Sequence, residues 1–292
     1  MKKHHKKLIL TSIISACAFA SPQILAHSKF TTTSGTEGAK VYNNISVGHG
    51  CENTDKAIEQ GKGKLPVIAN RLVLPDGSAG TRILAKSAAT SALNDTPVLV
   101  EGATVADYLT NWPSSLFSNV PSTDIFKDQS ALLYTDPLGY ADSHNVQIYT
   151  SAIGKTSLNG SIPGNYNTGL IPFVMTAPKI KTGATNCAKT VVIQGAIADI
   201  CKFTNKNGLS IHTANIWMPA NTGSKFDSLN GGAGLDGYGS PAEFTVSRDI
   251  TATTTHTANT LDSSCGDGLT VYIVTSGAQL NRDLPIKGRW AH

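Results

Sequence analysis

A histidine that opens a polypeptide carries two nitrogen ligands on one residue, the α-amine and Nδ1 of the ring. Together they can grip a single metal ion. The first thirty residues, MKKHHKKLILTSIISACAFASPQILAHSKF, point to such a terminus at His27. Lys2, Lys3, Lys6 and Lys7 form a basic start, Leu8 to Ala20 an apolar run, and Leu25-Ala26 a small-residue cleavage site. This is the pattern of a secretory signal peptide over residues 1–26, too short and wrongly flanked for a membrane span. Cleavage after Ala26 frees the amine of His27. An N,N chelate of this kind suits Cu(II), which favours tetragonal nitrogen and oxygen ligands.

A second imidazole lies in the segment Val47-Gly48-His49-Gly50-Cys51-Glu52. Two glycines allow close backbone approach around His49, and a bridged Cys51 would pin the loop. A lone histidine in a turn is also compatible with a purely structural hydrogen bond. His144, His212, His256 and His292 sit in polar or terminal contexts that suit surface residues.

The full chain has 292 residues, with 24 Lys and Arg against 20 Asp and Glu. Removing residues 1–26 takes away four lysines and no acid, leaving 266 residues with 20 basic and 20 acidic side chains. A neutral mature chain has no basic patch or arm of the kind that binds nucleic acid. Nor is there a second apolar stretch of membrane-spanning length.

Five cysteines occur, and Cys17 leaves with the signal. Cys51, Cys187, Cys201 and Cys265 remain, an even number that reads as two disulfides in an exported chain. Three connectivities are open on this count alone. No CxxC pair favours a thiolate metal site, and no CxxCH favours c-type haem. Neither a P-loop order nor a GxSxG elbow occurs, which argues against phosphate cradling and serine hydrolysis.

The elements that must position these residues are strands. Charge is low at 15%, and Thr, Ser, Gly and Asn are abundant. Strands are expected at 42–47, 67–74, 190–200, 213–219, 244–246 and 269–275, and helical turns at 104–109 and 122–133. Residues 220–240 read as a long glycine-rich loop and 281–292 as a weakly ordered tail. The whole mature chain, 27–292, reads as one all-β domain, a β-sandwich with long insertions.

The segment HSKFTTTSGTEGAKVYNNISVGHGCE (27–52) resembles the start of the YcnI-like copper-binding domain family of exported bacterial proteins. The shared elements are His27, the Gly38 to Tyr42 step, the strand 45–47 and His49-Gly50-Cys51. Residues 66–75 are similar to the family's next strand, and Val191 to Cys201 with Asn215 to Pro219 to its late strand pair. The resemblance is confined to these stretches, so the chain reads as an enlarged variant. It implies an immunoglobulin-like β-sandwich binding Cu(II) at the N-terminal histidine, assisted by a carboxylate and a nearby tryptophan. Carried onto this sequence, His27 is the ligand, Glu37 the first-choice carboxylate, Glu52 the second, and Trp217 the aromatic neighbour, with His49 close by. It also implies pairing of Cys51 with Cys201, leaving Cys187 with Cys265.

The expected role is therefore periplasmic or secreted copper handling, with copper passed to an accepting periplasmic or membrane protein. Two alternatives stand beside it. One is a copper monooxygenase acting on polysaccharide, which needs a second imidazole from His49, His144 or His212 and a flat face built from Trp112, Tyr134 or Tyr140. The other is a metal-free adhesion or assembly module.

Overall fold

The structure, a computed structural model, describes residues 28–48, 50–51, 67–110, 112, 117–119, 145–153, 169–202, 210, 212–229, 237–253 and 257–285. The described residues open with strands β1 (Lys29–Phe30), β2 (Ser34–Thr36), β3 (Lys40–Val47), β4 (Val67–Val73) and β5 (Arg82–Ser87). Then come β6 (Val98–Leu99), the helical turn α1 (Val105–Tyr108), β7 (Leu109–Thr110), β8 (Phe117–Asn119) and β9 (Asn145–Ile153). Next are β10 (Gly169–Thr176), β11 (Lys179–Ile180), β12 (Ala188–Ile200) and β13 (Ala214–Trp217). Helix α2 (Lys225–Leu229), β14 (Ala242–Ser247), β15 (Leu269–Val274) and helix α3 (Gly277–Asp283) complete it.

The protein is an all-β sandwich. One large sheet has the order β1-β3-β10-β8, the second is a nine-stranded sheet organised around β12, and β11 pairs with β7 in a separate two-stranded ribbon. Alternation explains the facing. Along β3, Val41, Ile45 and Val47 are buried while Lys40 and Tyr42 point out. These meet Val191, Ile193 and Ile197 of β12, Phe244 of β14 and Val271 and Ile273 of β15 in one core. Phe30 packs edge-on against Phe173, with ring centroids 5.5 Å apart.

β12 changes neighbours halfway along. Residues 190–194 lie between β14, antiparallel, and β15, parallel. Residues 196–200 lie between β4 and β13, both antiparallel. Gly195 marks the change. A Cβ there would stand 2.5 Å from the Val73 carbonyl oxygen, so only glycine lets the end of β4 come this close.

The other face of this second half is also covered. Ala196, Ala198 and Ile200 of β12 and Ile216 of β13 form a second core with Met218, Phe226, Leu280 and Leu284. The small alanines let α2 and α3 lie down on the sheet. Ser276 caps α3 by accepting from Gln279 N–H.

Two expectations from sequence are corrected here. The stretch 220–240 is not loop throughout, because Phe226 is fully buried and draws residues 225–229 into a helical turn. Asp227 holds the start of that turn, its Oδ2 accepting from Gly223 and Ser224 N–H at 2.5 and 3.1 Å. The tail is not loose at its beginning either: residues 281–283 finish α3, and Leu284 is buried. The helical turn expected at 122–133 lies outside the described residues.

Candidate functional site

Three polar residues stand side by side across three strands at the far end of β12. Asp199 faces Asn70 of β4 on one side and Asn215 of β13 on the other. Cross-strand partners share a face, and Asp199 is in phase with Val191, Ile193 and Ile197, so the rung looks into the sandwich. All three are buried, and Asp199 is 0% exposed. An ionised carboxylate in such a place must be compensated by donors.

Among the described residues Asp199 gathers three of them. Asn70 Nδ2 donates to Oδ1 at 2.7 Å. Trp217 Nε1 donates to Oδ2 at 2.8 Å, and Ser28 Oγ donates to the same oxygen at 2.5 Å. Trp217 lies on the next rung inward, opposite Ile197, and its ring is buried in the main core. Ser28 is 2% exposed. It is held there from the other side by Phe30, two residues on, in the sandwich interior.

The His-Gly-Cys turn is tied to the same end. Asn215 Nδ2 donates to the Gly50 carbonyl at 3.3 Å. Cys51 is bridged to Cys201, two residues beyond Asp199, and Cys187 is bridged to Cys265. This is the pairing that the resemblance implied. Cys51 N–H donates to Cys201 Sγ at 3.0 Å, and Cys51 Sγ lies 3.8 Å from the Asp199 carbonyl oxygen.

One atom in the rung has no partner among the described residues. Asn70 Oδ1 is buried and accepts no hydrogen bond. An orphaned acceptor of this kind costs on the order of 1–3 kcal/mol. It stands ready for an N–H donor, a bound water or a cation.

His27, His49 and Glu52 lie outside the described residues, as do His144, Tyr134 and Tyr140. Glu37 is described and is not brought to this site. Its Oε2 accepts from Ile180 N–H at 2.7 Å and Oε1 from Asp249 N–H at 2.8 Å, while Asn259 Nδ2 donates to both. Glu37 N–H also donates to the Ser247 carbonyl, and Ser247 faces Thr190 at the opposite end of β12. From 190 to 199 at ~3.3 Å per residue, Glu37 and Asp199 stand roughly 30 Å apart along the strand.

Glu37 belongs instead to a buried lock around Arg248. The guanidinium donates to the carbonyls of Ala188, Lys181 and Asn186 and to Asn259 Oδ1. Burial depresses the Arg248 pKa, and the Glu37 charge works against that shift.

The carboxylate beside Trp217 is thus Asp199, which reading the sequence for ligands missed. The signal was present in TVVIQGAIADI, where a single acid interrupts a strand otherwise apolar enough to be buried on both faces. His212, the one described histidine, lies at the same end of the sandwich. It sits in the turn leading to Thr213, whose carbonyl accepts from Cys201 N–H at 2.8 Å. Trp112 packs over Gly77, and a Cβ on that glycine would stand 3.1 Å from its ring.

Among the described residues no group of three or more His, Cys, Asp and Glu converges as a metal site. None of their helices is long and apolar enough to cross a membrane. No family model, no curated protein and no solved structure matches the chain.

Proposed function

We propose that the chain, once cleaved after Ala26, is an exported Cu(II)-binding protein whose metal site forms where His27 meets Asp199. The observation that carries this reading is the hydrogen bond from Ser28 Oγ to Asp199 Oδ2. Consecutive Cα atoms are 3.8 Å apart, so fastening Ser28 keeps residue 27 within a single peptide unit of that anchored position. The α-amine and imidazole of His27 would supply two nitrogens, and Asp199 an anionic oxygen. That mixed set suits Cu(II).

Supporting features are Asn70 Oδ1, which has no partner among the described residues and can accept from a metal-bound water, and Trp217, which keeps bulk water from the carboxylate. Two disulfides fit a protein that works outside the reducing cytoplasm, in the periplasm or the medium. With few fixed ligands among the described residues, such a site favours uptake and transfer of copper over permanent storage. A copper-accepting protein is the expected partner.

The test compares two forms of the mature protein, one beginning at His27 and one carrying a single glycine ahead of it. Calorimetry and paramagnetic resonance should show tight Cu(II) binding by the first form. Affinity should fall at least 100-fold in the second, because the α-amine becomes an amide. Equal binding by both forms would remove His27 from the site.

A further inference from the structure

The bridge beside Asp199 differs from the other disulfide in what surrounds its sulfurs. Cys51 N–H points at Cys201 Sγ at 3.0 Å. Such a donor stabilises a thiolate more than a bridged sulfur, because it is the anion that gains from accepting. Cys51 Sγ lies 3.8 Å from the Asp199 carbonyl oxygen, within reach for an S–H to donate. Opening the bridge therefore meets a donor for one sulfur and an acceptor for the other, already in place. Among the described residues, neither sulfur of Cys187–Cys265 has a hydrogen bond of this kind.

Position adds to this. Cys201 follows Asp199 by two residues, and both cysteines pack in the same core as Trp217. Cys51 is fully buried and Cys201 is 8% exposed, so within this bridge an incoming thiol reaches Cys201 first, while Cys187 and Cys265 are both less buried, so equilibrium and not access sets the two bridges apart.

We infer that Cys51–Cys201 is a reducible cystine, and that its opened form is a Cu(I) site built from the two sulfurs beside Asp199. This rests on the copper reading above and extends it to the second oxidation state of the metal. The reductant is an external dithiol. Its thiolate attacks Cys201 Sγ and forms a mixed disulfide, while the departing Cys51 sulfur takes the proton of the reductant's second thiol and becomes the S–H that faces the Asp199 carbonyl. The second thiol of the reductant then attacks its own mixed-disulfide sulfur and releases Cys201. Two electrons and two protons pass from the dithiol to the cystine, and the reductant leaves as a disulfide. Cu(I), arriving already reduced, displaces the thiol protons to solvent and binds the soft sulfur pair that suits it. The metal changes no oxidation state in this step.

The test uses the mature protein with native processing, equilibrated in graded mixtures of reduced and oxidised dithiothreitol. Alkylation and peptide mapping then read each bridge separately. Cys51–Cys201 should be half open at a dithiol-to-disulfide ratio at least tenfold lower than Cys187–Cys265. Competition with bicinchoninate should give at least 100-fold tighter Cu(I) binding after that opening. The gain should be absent from Cys201→Ser and kept by the Cys187→Ser/Cys265→Ser double variant. Reduction of the unaltered protein carries the test even where a variant fails to fold. Opening of Cys187–Cys265 first, or unchanged Cu(I) affinity after opening of Cys51–Cys201, would overturn the inference. Cu(II) binding by the fully oxidised protein, measured on the same preparation, reports separately on the His27 reading.

Discussion

The indole N–H of Trp217 donates to the Asp199 carboxylate at 2.8 Å, across the diagonal between two neighbouring rungs of β12 and β13. This bond joins a residue that sequence resemblance singled out to one that it passed over. It also gives the tryptophan a polar task that ordinary core packing would not require. A buried indole N–H without a partner carries the cost of any lost hydrogen bond, so Asp199 and Trp217 satisfy one another.

Asp199→Asn should separate the stability of this rung from its chemistry. The amide keeps the shape and one acceptor oxygen, but it loses the charge that draws in Ser28, Asn70 and Trp217. Thermal unfolding of the metal-free protein should show a loss of about 1–3 kcal/mol. Cu(II) affinity should fall at least tenfold beyond what the stability change explains. Unaltered copper binding in a folded Asp199→Asn protein would take this carboxylate out of the site.

Glu37→Gln is the matched control. It removes one charge from the lock around Arg248 and Asn259, roughly 30 Å from Asp199 by strand register. Denaturant unfolding should register a loss of about 1–3 kcal/mol, since a buried guanidinium keeps its hydrogen bonds but loses its counter-charge. Copper titrations of the folded variant should match the parent protein.

Gly195→Ala probes the crossing of β4 over β12. The added methyl would sit 2.5 Å from Val73 O and 2.6 Å from the Leu74 side chain. Backbone must move to relieve this, at a cost of about 1–3 kcal/mol. Because β4 carries Asn70, the displacement should also lower copper affinity, readable in the same titration.

Acid should loosen α3 through Asp76. Burial alone would raise the pKa of this carboxyl. Hydrogen bonds from Ser78 and the 2.6 Å contact with Arg282 outweigh that and hold it below its ordinary 3.8. A carboxylate depressed in the folded state stabilises fully above its unfolded pKa, and that contribution is lost as pH falls through the folded value. Hydrogen exchange in α3 should therefore accelerate below about pH 4 in the parent. In Asp76→Asn the protection should already be reduced at neutral pH and should change less on acidification.

The strands of the sandwich were readable because their inward residues are apolar. Tyr42 to Val47, Val67 to Leu74, Thr190 to Ile200 and Leu269 to Thr275 all lie in or across observed strands. The helices were less readable, since α2 depends on the burial of one side chain, Phe226, beneath residues distant in sequence. The carboxylate of the site was hidden for a related reason. Glu37 and Glu52 flank the motif that drew attention, whereas Asp199 reaches Ser28 through a hydrogen bond that spans 171 residues. No local spacing encodes such a neighbour, but an acid inside an apolar strand does mark it.

β12 has a consequence for the order in which the molecule can assemble. Its partners run from β4 at residue 67 to β15 at residue 274, and the bridge from its end closes a separation of 150 residues. Very little of the central sheet can be completed by a partly emerged chain. Contacts this distant in sequence are reached slowly, because the entropy of closing large loops comes before the stabilising contacts. The half of the central sheet around residues 188–194 therefore stays incomplete until the last strand is available. Until Cys201 has emerged and β12 has paired with β4, oxidation of Cys51 has no correctly placed sulfur to meet, so an earlier bridge would be a wrong one.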